Sequence, residues 1–173
     1  MRGRPAVAVV LIAAAVVALD QIAKGLVRAT MGLPGTSIPL VDDLVRLTYT
    51  RNAGAAFGIL QGGSPVFIAV SVIVVISVIV YAGRWRPSSP WVIVSLGLVG
   101  GGAAGNLVDR ALIGWVTDFI QVPFNFPVFN VADASICVGV GMLVWWLLFG
   151  PTSHEPVASE ATEHPEGPGE GSQ

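Results

Sequence analysis

Apolar positions cluster in four stretches of this chain, residues 5–28, 65–82, 91–108 and 131–149. A bilayer-crossing helix needs roughly 20 mainly apolar residues, and each stretch comes close to or exceeds that length. The pattern changes between the first and second stretches. Val45, Leu47 and Tyr49 alternate there with Arg46, Thr48 and Thr50, a period of two built from β-forming residues. Such alternation predicts a strand. Gly32-Leu33-Pro34-Gly35 before it reads as a turn. Asn52-Ala53-Gly54-Ala55-Ala56-Phe57-Gly58 after it gives the backbone freedom for unusual angles. The predicted fold is an all-α membrane bundle of four transmembrane helices with a small extracytoplasmic β-cradle, its β-rich loop spanning about residues 29–64.

Composition agrees with a membrane class. Of the 173 residues, 53% are hydrophobic and only 12% charged, about half the charged share of a soluble domain. Met1-Arg2-Gly3-Arg4-Pro5 resembles the charged start of a signal peptide. No small-x-small cleavage site follows the apolar run, so a retained helix is expected. The net charge of −2 hides an asymmetry: every glutamate lies after Gly150, and elsewhere nine Lys and Arg face six Asp. Residues 1–150 read as one integral-membrane domain. Residues 151–173, rich in Pro, Gly, Ser and Glu, read as a disordered acidic tail. Arg2 and Arg4 precede the first helix, and Arg84 and Arg86 sit in the short loop between the second and third. These short basic flanks put both termini in the cytoplasm. Cys137 reads as a small buried residue, and the aromatic set Trp115, Phe119, Phe124, Phe126 and Phe129 as interface anchors.

The polar residues gather at the opposite membrane edge. Asp20 and Lys24 are four apart and can pair on one helix face. Glycines and alanines at 101–105 allow neighbouring helices to approach closely. Asn106 and Asp109 share a face after them, and Arg110 can neutralise Asp109 or hold carbonyl groups of something bound. Asp118 follows a short connection, and Asp133 opens the fourth helix, so the two carboxyls should lie at one depth. Both histidines, His154 and His164, lie in the tail, which argues against a Ser-His-Asp triad or histidine-ligated zinc. Two aspartates brought together cannot both ionise cheaply, so one keeps a proton. The ionised one can take a proton from water while the other donates to a carbonyl oxygen, the division needed to hydrolyse a peptide bond. A proton-coupled transporter or small channel is the alternative reading, but it should show repeats or paired broken helices, and none is evident.

Five motifs together resemble the bacterial lipoprotein signal peptidase family, or signal peptidase II, a family of aspartic peptidases. They are Asp20-Gln21-x-x-Lys24, Asn52-Ala53-Gly54-Ala55-Ala56-Phe57-Gly58, Gly101-Gly102-Ala103-Ala104-Gly105-Asn106-x-x-Asp109-Arg110, Val116-Thr117-Asp118-Phe119 and Phe129-Asn130-Val131-Ala132-Asp133. The resemblance implies an endopeptidase of the cytoplasmic membrane that acts at the outer leaflet edge. It would cut diacylglyceryl-modified prolipoproteins just before the modified cysteine. It implies Asp118 and Asp133 as the catalytic pair and Asn52, Gly54, Asn106, Asp109, Arg110, Asn130 and Ala132 as the substrate site, with Asp20 and Lys24 in support. Membrane lipids and the inhibitor globomycin are the other expected partners. No cofactor, metal or nucleic acid is expected, and the enzyme should act as a monomer.

Overall fold

The computed structural model describes residues 4–42, 44–54 and 64–151. Residues 55–58 of the glycine-rich motif and the tail beyond Pro151 lie outside them. Among the described residues, four helices are long and apolar enough to cross a membrane. They are α1 (Arg4–Thr30), α2 (Ser64–Arg84), α3 (Pro90–Ile113) and α4 (Val131–Phe149). Three strands, β1 (Ser37–Val41), β2 (Val45–Asn52) and β3 (Val116–Gln121), form an antiparallel sheet in the order β1-β2-β3.

Three of the predicted helices have nearly the expected bounds. The third runs five residues beyond the expected end at 108. Asp109 and Arg110 are polar, yet they continue the helix because their side chains find partners inside the protein. The stop is Gly114, whose left-handed φ of 83° closes the helix through an N–H bond to the Arg110 carbonyl. The alternating segment is β2. Strands β1 and β3 were not predicted. β1 carries Pro39 at an exposed edge, where the missing N–H costs little. β3 is buried at its first four positions and so has no alternation to read.

Helix α3 is the hub. Just over half of its apolar stretch (56%) is buried, against 17% for α1 and 11% for α2 and α4. Glycines make this close approach possible. A Cβ on Gly105 would lie 2.7 Å from Asp20 Oδ2, and one on Gly102 would collide with the Ala132 carbonyl oxygen. α1 and α4 can therefore press their backbones against α3, as small residues permit in membrane helices. One apolar cluster, Val9, Val78, Ala82, Val92 and Leu96, locks the end away from the sheet. A second, Val27, Met31, Tyr49 and Phe119, seats the sheet on the bundle. Phe119 is thus a core residue and not an interface anchor. Phe124 is 97% exposed.

Candidate active site

The site begins with a buried charge cluster on α1. Lys24 Nζ lies 2.8 Å from Asp20 Oδ2 and 3.3 Å from Asp109 Oδ2. Asp20, Lys24 and Asp109 are sealed from solvent. Arg28, one turn further along α1, adds a longer contact of 3.5 Å to Asp109 Oδ1. Of the two roles open to Arg110, neutralising Asp109 is not the one seen: the two make no ion pair. Adjacent residues on a helix diverge by about 100°, so Asp109 faces α1 while Arg110 turns to the other side. Asp20 also accepts the Ala132 N–H at 3.0 Å, and Gln21 donates to the Gly105 carbonyl and to Asp109. This cluster ties α1, α3 and the start of α4 together.

Lys24 then organises the next layer. An ammonium only donates, so the Asn106 side chain turns its oxygen to Lys24, at 2.9 Å. That leaves the Asn106 amide N–H groups free, and one donates to Asp133 Oδ1 at 2.7 Å. Asn130 caps α4. Its side chain accepts the Asp133 N–H at 2.9 Å, while Asp133 Oδ2 accepts the Asn130 N–H at 3.2 Å, a reciprocal capping box. The Asn130 amide donates onward to Asp118 Oδ1 at 2.6 Å. The other Asp118 oxygen accepts from Asn52 at 2.9 Å. Asn52 is oriented in turn by the Gly54 N–H at 3.0 Å. One residue, Asn130, therefore links both carboxyls.

Asp118 and Asp133 head a cavity of about 470 Å³. Asn52, Gly54 and Arg110 complete its polar rim, and residues 126–129 with Ala134 and Cys137 make its apolar part. The Arg110 guanidinium lies 5.1 Å from the Phe67 ring centre and reaches the Gly54 carbonyl at 3.5 Å. Its buried Nε has no hydrogen-bond partner among the described residues. Burial pushes the Asp118 carboxyl up to about 6. The charge of Asp133 adds to the rise, while the amide donors Asn52 and Asn130 oppose it.

The seven residues expected to bind substrate thus divide into two layers. Asn52, Gly54 and Arg110 line the cavity. Asn106, Asp109, Asn130 and Ala132 are buried behind it, their polar groups already engaged with the protein. Cys137 is exposed rather than buried, because it lies one turn past Asp133 on the same face of α4. Sequence reasoning gave no site role to Arg28, or to Gln21 and Thr117, which it quoted only as motif members. Spacing alone points to Arg28, which continues the Asp20, Lys24 series by another four residues.

Two carboxyls, one on β3 and one in the first turn of α4, head a largely apolar cavity in a bundle of four membrane-length helices, an arrangement suited to a membrane-embedded aspartic peptidase. Residues 12–149 match the family model for signal peptidase (SPase) II. A lipoprotein signal peptidase of Geobacillus thermodenitrificans is 46% identical over 155 residues, covering 88% of this chain and 96% of that protein. One from Brevibacillus brevis is 47% identical over 135 residues, covering 78% and 90%. A solved bacterial membrane enzyme determined by the in meso method at 2.3 Å superposes with a TM-score of 0.76 at 35% identity, covering 81% of this chain and 87% of that one. A second, at 1.9 Å, gives 0.75 at 34% identity, covering 83% and 94%. The chain belongs to the signal peptidase II family.

Proposed function

We propose that this enzyme removes signal peptides from diacylglyceryl-modified prolipoproteins, cutting just before the modified cysteine, with Asp118 and Asp133 as its catalytic residues. The observation that carries the reading is that Asn130 donates to both carboxyls, which together head one largely apolar cavity. The pair holds one proton. Burial and the nearby charge favour its resting on Asp118. Asp133 takes a proton from water as the oxygen attacks the scissile carbonyl, and Asp118 donates to the carbonyl oxygen. When the tetrahedral intermediate collapses, Asp133 passes its proton to the leaving nitrogen. Asp118 recovers a proton from the intermediate's hydroxyl, so the pair ends as it began.

Asn52, Gly54 and Arg110 meet the substrate backbone, and the Arg110 Nε–H, unpaired among the described residues, suits a substrate carbonyl. Asn106, Asp109, Asn130 and Ala132 act one layer behind, as do Asp20 and Lys24. The apolar part of the cavity suits a substrate whose signal helix and acyl chains both arrive from lipid. The enzyme works as a monomer in the bacterial cytoplasmic membrane. Both termini are cytoplasmic, the site lies at the outer leaflet edge, and globomycin inhibits it. Protein reconstituted in vesicles should cleave a diacylglyceryl-modified prolipoprotein and leave the unmodified precursor intact. Asp118→Asn and Asp133→Asn should each abolish cleavage while the fold survives. Normal cleavage by either variant removes that residue from the mechanism. Proton-linked solute movement without cleavage would replace the reading with a transporter.

A further inference from the structure

We infer that Arg28 is a positioning residue that aims Asp118 into the cavity by gripping its neighbour Thr117; this rests on the reading of Asp118 as catalytic. Thr117 is fully buried and held twice. Its backbone N–H donates to Asp109 Oδ2 at 2.9 Å, and its hydroxyl accepts from Arg28 Nη1 at 3.0 Å. Arg28 also reaches Asp109 Oδ1 at 3.5 Å. Both grips therefore end on the charge cluster between α1 and α3.

Strand geometry carries the consequence forward. Successive side chains of a strand point to opposite faces. With Thr117 drawn against α1 and α3, Asp118 must project the other way, toward Asn52, Asn130 and the cavity. β3 needs such a hold. The regular pairing between β2 and β3 shifts between Leu47 and Thr50, next to the position where Thr50 faces Asp118. The regular ladder of Val116, Thr117 and Asp118 ends at that shift. The long reach from α1 supplies a lateral fix that neither strand provides.

The test measures kcat and KM separately on reconstituted enzyme with a diacylglyceryl-modified prolipoprotein, with Asp118→Asn run alongside. Small displacements of a reacting group cost up to about a hundredfold in rate, so Arg28→Leu and Thr117→Val should each lower kcat about tenfold. KM should stay within about twofold, because the cavity rim is untouched. Arg28→Lys should recover most of the loss. The double variant Arg28→Leu/Thr117→Val should lose no more than either single one, because residues acting through one contact are not additive. Thr117→Val retains the backbone bond to Asp109 and decides the matter if Arg28→Leu does not fold. A normal kcat in Thr117→Val, a change confined to KM, or losses that multiply would overturn the inference. If Asp118→Asn is inactive while Thr117→Val is normal, only the positioning role falls. If Asp118→Asn cleaves normally, the catalytic reading falls first.

Discussion

Two groups of charged residues sit at the same end of the bundle and do opposite things. In the cluster around Lys24, Asp20 and Asp109 have a cation within 3.3 Å and no exposure to speak of. Around Asn130, Asp118 and Asp133 make no ion pair among the described residues and open onto a cavity. Both groups are dense in hydrogen bonds. The difference lies in what satisfies the carboxyls: fixed cations in one case, neutral amides in the other. An amide donor orients a carboxyl without holding it ionised as firmly as a cation does. The first cluster is sealed around its cations, and the second faces open space with only neutral donors on its carboxyls.

The contrast breaks most visibly if the exchangeable pair is altered. Asp118→Asn and Asp133→Asn should each cut cleavage by at least about a thousandfold with little change in the unfolding midpoint. A variant that unfolds early would put that residue in the structural group. Next in size is Lys24→Met. Stripping one partner from a buried ion pair costs about 3–5 kcal/mol, so denaturant titration should show a large loss of stability, with activity falling as a result. A stable Lys24→Met enzyme that has lost cleavage would instead move Lys24 into the chemistry. Cys137→Trp probes the apolar wall of the cavity. It should raise KM about tenfold by filling space the substrate needs, leaving kcat nearly intact, as measured by steady-state kinetics.

The smallest expected effect concerns pH. Burial pushes the Asp118 carboxyl up to about 6, above the ordinary 3.8 of an aspartate. Raising pH through that value removes its proton, so the alkaline limb of kcat/KM should have its midpoint near 6. Asn52 favours the ionised form, and Asn52→Leu should move the midpoint upward. A downward shift would mean that the limb reports another group.

Much of this was legible from sequence because membrane helices need long apolar runs, and β2 alternates. The site was less legible, for reasons visible in particular residues. Asp20 meets the N–H of Ala132 across 112 positions, a pairing that no local spacing encodes. Cys137 looked buried because apolar neighbours surround it in sequence. In a membrane helix the outward and inward faces are equally apolar, so composition cannot tell them apart. The strand that holds Asp118 went unpredicted because a strand buried at both faces shows no period. Adjacency left open whether Arg110 neutralises Asp109 or holds carbonyls, and helical rotation sends the two side chains to different neighbours.

The capping box at the start of α4 carries a last consequence. The hydrogen bonds that begin the helix also hold one of its acids, so helical phase and chemistry share one ruler. One residue inserted between Asn130 and Asp133 would swing the carboxyl by about 100° around the axis. The spacing of those three steps therefore cannot drift, whatever happens to the identity of the residues between them.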